Sequence, residues 1–292
     1  MDTTSTPAPQ ELIQNSDLRQ DYGVAVSTLR PHAGGFESDC WVADDVWFVK
    51  VWRQQKPPTG LGLLHELQAL GLPVPAPIPT VSGPLYATWQ GRPYAIFPYV
   101  RGRTATTDDW RQTAQALRRV HKLGYVGLPH GTMDEPEIRQ LAKRLDHPWI
   151  ADRRDEVAEA ISRLEQAIER ASTKVVRQVI CHRDFIGLNL ILDDDGQLAA
   201  ILDWDQAVLG PREHDVWIAA ESEHLESFLT EYGARDLDID HIEYALLARA
   251  LADMAARVLG EVDRPGVDTW GFRRIAKLDH DLTLFRPYCA QR

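Results

Sequence analysis

Three polar residues in the middle of the chain follow short apolar runs, and their types suit metal and proton chemistry. The run 179–181 is strand-like and is followed by Asp184 and Asn189, while a second apolar run, 200–202, ends at Asp203. An Asp-Asp-Asp-Gly turn at 193–196 separates them, so a hairpin folded there is expected to set Asn189 beside Asp203. Amide and carboxylate oxygens are hard ligands for Mg²⁺. The stretch therefore predicts a magnesium site close to a third oxygen ligand, Asp184.

The spacing H-R-D-x-x-x-x-N over 182–189, with Asp203 downstream, matches the catalytic loop and the metal-binding aspartate of protein kinases. Asp203 is followed here by Trp-Asp and not by Phe-Gly. In this form, continuing through Asp215, the pattern resembles the aminoglycoside phosphotransferase family and is closest to its spectinomycin kinase branch. The resemblance extends from about residue 31 onward.

The resemblance implies an α+β, two-lobed protein-kinase-like fold, with a small antiparallel β-sheet and one key helix in the N-terminal lobe and a mainly helical C-terminal lobe. It also implies transfer of the γ-phosphate of ATP or GTP to a hydroxyl of a small molecule. Asp184 would be the catalytic residue that accepts the hydrogen bond of this hydroxyl, and Asn189 and Asp203 would bind Mg²⁺. His182 is expected to pack beneath the loop and not to act as a base. The family suggests antibiotic resistance as the biological role.

A lysine and a glutamate in the first third of the chain are candidates for nucleotide binding. Lys50 shares one face of a predicted strand with apolar residues and ends that face. Kinases use such a lysine to hold the α- and β-phosphates and pair it with a glutamate from the next helix. The helix predicted over 61–70 carries Glu66 at its centre. We therefore expect Lys50 and Glu66 to act together.

Two further segments could contact the nucleotide through their backbone. The turn that contains the glycine pair at 34–35 and ends at Ser38 could bring N–H groups to the phosphates, although an ordinary hairpin turn is the alternative. In the segment expected to connect the lobes, Pro98 could accept from adenine through its carbonyl and Val100 could donate its N–H. The alternative there is an edge strand interrupted by proline.

The order of apolar periods and turn residues predicts a disordered tail over 1–9 and two further segments, 10–100 and 101–292. The resemblance implies that these are a nucleotide-binding lobe and a catalytic and acceptor-binding lobe. In the first lobe we expect a helix over 10–20, a strand over 24–29 and tight turns at 44–45 and 90–91. The predicted helices of the second lobe cover 108–122, 137–145, 149–171, 241–260 and 268–285.

Composition excludes several functional classes. With 43 acidic against 32 basic residues and a net charge of −11, the chain lacks the basic character that nucleic acid binding needs. No apolar run is long enough to cross a bilayer, and the N-terminus has no secretory signal pattern. The three cysteines are far apart and lack metal-ligand spacing, which favours a reduced, cytoplasmic compartment. A monomer or a homodimer is expected.

An acidic stretch bears on the acceptor. Residues 201–245 contain twelve acidic and two basic residues. Such a field beside a phosphoryl-transfer site favours a cationic acceptor such as an aminoglycoside or aminocyclitol, although acidic residues that merely cover exposed helices would give the same count. The candidate residues for the acceptor pocket are Asp205, Trp217, Glu221, Glu223 and Trp270.

Three alternatives remain open. A metabolic kinase for choline, homoserine or a similar alcohol would share every feature above. A non-catalytic nucleotide-binding protein could keep the same fold. A metal-dependent hydrolase would leave Lys50 and Glu66 unexplained, but a two-metal cluster is conceivable from His182, Asp184, Asp203, Asp205 and His214.

Overall fold

The computed structural model describes residues 13–32, 38–53, 55, 60–124, 127–260 and 269–290. The chain divides into two compact units, 1–101 and 102–292. The described elements of the first unit are α1 (Asn15–Tyr22), β1 (Leu29–His32), β2 (Ser38–Ala43), β3 (Trp47–Trp52), α2 (Leu61–Ala69), β4 (Ala87–Trp89) and β5 (Arg92–Pro98).

The strands of the first unit form one antiparallel sheet in the order β1-β2-β3-β5-β4. Asp44 and Asp45 lie in the turn 44–46 between β2 and β3, and Gln90 and Gly91 connect β4 to β5. All four residues have positive φ angles, between 50° and 76°, as the two central residues of a type I′ turn require. Both predicted turns are confirmed.

The two faces of this sheet pack against different helices. On one face, Val49, Val51 and Ile96 form a buried core with Leu18 of α1. On the other face, Trp52 and neighbouring residues pack against α2. Because side chains alternate along a strand, Lys50 lies on the α2 side of β3, opposite to Val49 and Val51.

The predicted strand over 24–29 is wrong in its position, because β1 begins only at Leu29. The carboxylate of Asp44 accepts hydrogen bonds from the backbone N–H groups of Ser27, at 2.8 Å, and Thr28, at 2.7 Å. These bonds occupy donors that a strand would give to its neighbour, so the segment before Leu29 is held as a loop.

Helix α1 begins at Asn15 and not near residue 10, because its N-terminus is fixed by a cap. The carboxylate of Asp17 accepts from the N–H of Gln14 at 2.8 Å, which satisfies one donor at the helix start. The predicted tail over 1–9 and the first residues of the predicted helix lie outside the described residues. Helix α2 matches the helix predicted over 61–70 to within one residue.

Helices predominate in the second unit, as predicted. Its described elements are β6 (Arg103–Thr104), α3 (Trp110–Val120), α4 (Pro136–Leu141), α5 (Arg154–Ser172), β7 (Gln178–Cys181), β8 (Leu190–Leu192), β9 (Leu198–Ile201), β10 (Val208–Pro211), α6 (Glu213–Val216), α7 (Leu225–Tyr232), α8 (Ile239–Val258) and α9 (Trp270–Phe285). Helix α8 is buried along most of its length and packs against α4, α5, α6 and α9. It therefore forms the centre of this unit.

The predicted hairpin over 179–203 is only partly correct. Strands β8 and β9 pair antiparallel across the predicted turn at 193–196, and the Asp193 carboxylate closes this turn by accepting from the N–H groups of Asp195 and Gln197. Strand β7, however, pairs with β10 in a separate two-stranded sheet. The chain leaves β7 through Arg183, whose φ of 71° breaks the extended path before β8.

No described helix combines the length and the apolar composition that crossing a membrane would require.

Candidate active site

Asp184 lies in the loop between β7 and β8, and two side chains hold its carboxylate. Asn189 donates from Nδ2 to Oδ2 of Asp184 at 2.9 Å and to its backbone carbonyl at 2.8 Å. Arg249 of α8 donates from Nη1 to Oδ1 at 2.7 Å. The Asp184 side chain retains 21% of its exposure, so the carboxylate is positioned and still accessible.

The loop that carries Asp184 is braced from below by Asp215. This fully buried carboxylate of α6 accepts from the backbone N–H of His182 at 2.7 Å and from that of Arg183 at 2.8 Å. It also accepts from Nε2 of His121 at 3.2 Å, whose Nδ1 accepts from the Tyr232 hydroxyl at 2.7 Å. Asp215 thus stabilises the unusual backbone at Arg183, and His121 is a satisfied core histidine.

His182 packs beneath the loop, as expected. It is fully buried, and its ring lies 4.7 Å from the Trp204 ring and 5.6 Å from the Phe185 ring. Its Nε2 donates to the carbonyl of Leu202 at 2.7 Å, and its Nδ1 accepts from the N–H of Asp184 at 3.3 Å. With both nitrogens engaged, His182 positions the loop and has no nitrogen available to act as a base.

The second histidine of the hydrolase hypothesis is engaged as well. Nδ1 of His214 accepts from Arg183 at 3.3 Å, and Nε2 lies 3.3 Å from Nδ1 of His241. Burial is the largest factor that lowers the pKa of His214 to about 3, and the positive charge of Arg183 adds to the effect. The ring is therefore a neutral, buried structural group, and the geometry gives no support to a two-metal cluster built on these histidines.

Asn189 and Asp203 are brought to neighbouring positions by the β8–β9 hairpin. The N–H of Leu202 donates to the backbone carbonyl of Asn189 at 2.8 Å, so Asp203 follows directly after the residue opposite Asn189. Because Nδ2 of Asn189 is committed to Asp184, its Oδ1 points away from that bond, and it accepts no hydrogen bond from the described residues. An amide oxygen beside an exposed carboxylate on a turn with φ of 62° is a donor set that fits Mg²⁺.

Lys50 and Glu66 form no hydrogen bond or ion pair with each other in the structure. Nζ of Lys50 lies 5.2 Å from the centroid of the Trp52 ring, in the range of a cation–π contact. Glu66 is exposed on α2, and within the described residues its carboxylate forms no hydrogen bond or ion pair. The apolar residues Leu63 and Leu67 determine which face of α2 packs inward. Joint action of Lys50 and Glu66 therefore stays a prediction.

The other nucleotide candidates have distinct environments. Ser38 begins β2, is buried, and its Oγ lies 3.4 Å from Sγ of Cys40. Pro98 ends β5 and is exposed, which agrees with a strand that terminates at a proline. The N–H of Val100 donates no hydrogen bond to a described residue and is available to a ligand. The glycine pair at 34–35 lies outside the described residues.

A cavity of about 320 Å³ opens within the second unit. It is lined by Trp217, Glu221 and Trp270, three of the predicted acceptor residues, whereas Asp205 and Glu223 do not belong to its described lining. The two indole rings meet edge to face at 6.3 Å, and the Trp270 Nε1 donates to Oε2 of Glu221 at 3.0 Å. The cavity walls are therefore largely aromatic and preorganised.

The acidic stretch does not converge on this cavity. Of the twelve acidic residues of 201–245, only Glu221 contributes to the described lining. Most of the others have structural partners, since Asp238 and Asp240 pair with Lys174, and Glu243 pairs with Arg163. The charge count therefore reflects a network that ties α5 to α8 more than it reflects an acceptor site.

Two charged residues of the cavity were missed by the sequence analysis, namely Arg249 and Asp253. They stand four residues apart on α8, in a segment otherwise made of leucine, alanine and methionine. Because residues four apart share one face of a helix, a charged pair inside an apolar helix was the signal available. That signal could not reveal that Arg249 contacts Asp184, which is 65 residues away in the sequence.

Comparison with known proteins shows which protein family the chain resembles in sequence. The sequence profile of the phosphotransferase enzyme family matches residues 28–265. A homoserine kinase of Sinorhizobium medicae (strain WSM419) is 29% identical over 156 residues, which cover 50% of this chain and 46% of that protein. A homoserine kinase of Sinorhizobium fredii is 36% identical over 70 residues, 23% of this chain and 22% of that protein. The chain thus matches these curated relatives over less than half of their length.

Solved structures show the same fold. A spectinomycin phosphotransferase in complex with ADP and spectinomycin has a TM-score of 0.69 at 19% identity, covering 92% of this chain and 95% of the other. An ADP-bound aminoglycoside phosphotransferase has a TM-score of 0.59 at 16% identity, covering 92% and 96%. At such identities the likeness concerns the fold, and it confirms the predicted kinase-like α+β class.

Proposed function

We propose that this chain, which belongs to the phosphotransferase enzyme family, transfers the γ-phosphoryl group of ATP or GTP to a hydroxyl of a small molecule that carries a cationic group. Family membership, predicted from the catalytic-loop spacing, is confirmed by the match over residues 28–265. The observation that carries the proposal is the position of Asp184. Its carboxylate is held by Asn189 at 2.9 Å and by Arg249, a residue that lines the cavity, at 2.7 Å.

In this proposal Asp184 orients the acceptor hydroxyl by accepting its hydrogen bond. A carboxylate is too weak a base to ionise an alcohol in advance, so the proton moves to Asp184 as the bond from the hydroxyl oxygen to the γ-phosphorus forms. The bond from this phosphorus to the oxygen that bridges it to the β-phosphorus breaks, and the nucleoside diphosphate leaves. The buried brace of Asp215 and His182 would keep the carboxylate aimed throughout.

The residues proposed to hold the nucleotide and its metal have separate tasks. Asn189 and Asp203 would bind Mg²⁺, which neutralises charge on the β- and γ-phosphates when bound. Lys50 would contact the phosphates that are not transferred, with Glu66 as its proposed partner and Ser38 nearby in the sequence. The carbonyl of Pro98 and the N–H of Val100 would contact the adenine or guanine base.

The first candidate acceptor is an aminoglycoside or aminocyclitol, and the cavity supports a cationic group through Asp253, whose carboxylate has no described partner. Spectinomycin and streptomycin are bound by proteins of the same fold. Resistance would follow if the acceptor is an antibiotic. The second candidate is a metabolic alcohol such as homoserine, supported by the partial matches to homoserine kinases.

An assay of nucleoside diphosphate release tests this proposal. The purified chain is incubated with Mg²⁺ and ATP or GTP in the presence of aminoglycosides, spectinomycin, choline or homoserine, and the phosphorylated product is identified by mass spectrometry. We expect acceptor-dependent ADP or GDP release with phosphate added to one hydroxyl. Nucleotide binding without release across the whole panel would instead favour a non-catalytic protein.

A further inference from the structure

Arg249 lines the cavity with a guanidinium group that has unused hydrogen-bond donors. Within the described residues, its guanidinium makes one hydrogen bond, from Nη1 to Oδ1 of Asp184 at 2.7 Å. Its carbon Cζ lies 5.7 Å from the centroid of the Trp217 ring, within the range of a cation–π contact. A guanidinium has five N–H donors in a fixed fork. Most of the donors of Arg249 are therefore available to a ligand in the cavity.

Asp253 presents the opposite charge one helical turn further along α8. Its carboxylate also lines the cavity, and it has no hydrogen bond or ion pair with the rest of the described chain. Burial raises the pKa of Asp253, against the opposing influence of Arg249. Glu221, the other acid of the lining, already accepts from Trp270 and lies 3.1 Å from Nη1 of Arg274. Asp253 is therefore the lining acid that a ligand cation can engage.

We infer that the acceptor carries an anionic group and a cationic group on one small scaffold, and that Arg249 binds the anion while Asp253 binds the cation. This inference rests on the proposed phosphotransferase function and decides between its two candidate acceptors: it favours the metabolic alcohol, as a hydroxyl-bearing zwitterion such as a hydroxy amino acid, over an aminoglycoside. Side chains four residues apart on a helix have Cβ atoms about 5–6 Å apart. Both residues therefore lie on one face of α8 and line the same cavity, where one small scaffold that carries both charges can contact them.

The contact between Arg249 and Asp184 links acceptor binding to catalysis. In the structure, Arg249 occupies Oδ1 of Asp184, while Asn189 occupies Oδ2. A carboxylate oxygen can accept more than one hydrogen bond, so Arg249 can bind the acceptor carboxylate through its other donors while Asp184 accepts from the acceptor hydroxyl. Carboxylate–guanidinium pairs are frequently bidentate and are among the strong hydrogen bonds of proteins. Arg249 thus links the acceptor carboxylate to Asp184 and places the acceptor hydroxyl beside the base.

A zwitterion and its two truncated analogues test the inference. L-homoserine carries both charges, 3-amino-1-propanol lacks only the carboxylate, and 4-hydroxybutyrate lacks only the amine. We measure kcat and KM for each with Mg²⁺ and ATP, and in parallel the affinity of each by calorimetry. L-homoserine is expected to exceed each analogue about 10- to 100-fold in kcat/KM and in affinity. Loss of the carboxylate should lower kcat as well as raise KM, because the acceptor hydroxyl is then no longer positioned beside Asp184.

Substitutions assign each charge to its residue. Arg249→Met should remove the preference for L-homoserine over 3-amino-1-propanol, and Asp253→Asn should remove the preference over 4-hydroxybutyrate. Arg249→Lys should restore the carboxylate preference in part, because it keeps the charge but not the fork. Arg257→Met is the matched control. Arg257 stands on the same helix, lies 5.3 Å from the centroid of the Trp149 ring and does not belong to the described cavity lining, so its substitution should leave the preference intact.

The outcomes separate the two proposals. Preferential binding of L-homoserine that depends on Arg249, without phosphate transfer, would support the acceptor class and contradict the phosphotransferase function. Phosphorylation of spectinomycin or choline with no preference for L-homoserine over either analogue would support the function and overturn the zwitterion. Equal binding of L-homoserine by the wild type and by Arg249→Met would also overturn it.

Discussion

The buried carboxylate of Asp215 offers a direct test of how the catalytic loop is held. Asp215→Asn preserves the size of the side chain but replaces one acceptor oxygen with a donor group. Asp215 accepts from the N–H groups of His182 and Arg183, and from Nε2 of His121. In its best orientation, the asparagine can keep the bonds on one oxygen and must leave at least one buried donor without a partner.

The expected loss of stability follows from the number of buried donors that lose their acceptor. An unsatisfied buried donor costs about 1–3 kcal/mol, and the amide group that replaces Oδ1 opposite the N–H of Arg183 is a second buried donor without an acceptor. We therefore expect a loss of about 3 kcal/mol in the free energy of unfolding of the second unit. At about 2–4 °C per kcal/mol for a unit of this size, the melting temperature should fall by about 6–12 °C. Displacement of Asp184 should also lower kcat, by about 100-fold.

The assay combines thermal unfolding with nucleoside diphosphate release. Asp279→Asn is the control, because Asp279 also pairs with an arginine, Arg163, but its side chain is 83% exposed, and exposed pairs contribute at most about 1 kcal/mol. Burial acts to raise the pKa of Asp215, but His121 and His182 outweigh it, so the pKa lies below its usual value. Its stabilisation is thus complete above about pH 4 and is lost as the pH falls through the folded pKa. If Asp215→Asn were as stable and as active as Asp279→Asn, the brace would play no part.

Two further substitutions test the packing around the loop. Gly187→Ala should lower both stability and kcat, because the new Cβ would lie 2.4 Å from the backbone oxygen of Ala105. The control is Gly62→Ala in helix α2, whose Cβ would meet nothing within 4 Å and which should be neutral or stabilising by up to about 1 kcal/mol. Equal effects of the two substitutions on denaturant unfolding would contradict this. His214, with its pKa lowered from 6.5 to about 3, takes up a proton on unfolding, so between these values the free energy of unfolding should fall by about 1.4 kcal/mol per pH unit of acidification. His214→Gln should flatten that slope, and an unchanged slope would assign it to other groups.

Local features of the fold were predictable from the sequence, because they depend on neighbouring residues. The turn at 193–196 combines a glycine with an aspartate that hydrogen-bonds its own backbone, and this chemistry is visible in four consecutive letters. The same holds for the H-R-D-x-x-x-x-N spacing, in which Asn189 contacts Asp184 five residues earlier.

Long-range features were not predictable. The pairing of β7 with β10 was not distinguishable from a hairpin of β7 with β8, because the partner strands are equally apolar. The bonds that Asp215 accepts from the N–H groups of His182 and Arg183 hold the loop after β7, and they join residues more than 30 positions apart in the sequence. The contact between Arg249 and Asp184 depends on how α8 packs, which no local pattern reports. The acidic stretch misled for the same reason, since its partners Arg163, Arg170 and Lys174 belong to another helix or its end.

The role of Asp184 is tested most directly by the rate of phosphoryl transfer in Asp184→Asn. Positioned proton acceptors contribute about 10²- to 10⁴-fold, so we predict a loss of this size in kcat with nucleotide affinity retained. Asp194→Asn, an exposed residue of the β8–β9 turn, should match the wild type. An Asp184→Asn variant that transfers phosphate at the wild-type rate would contradict the assignment of the base.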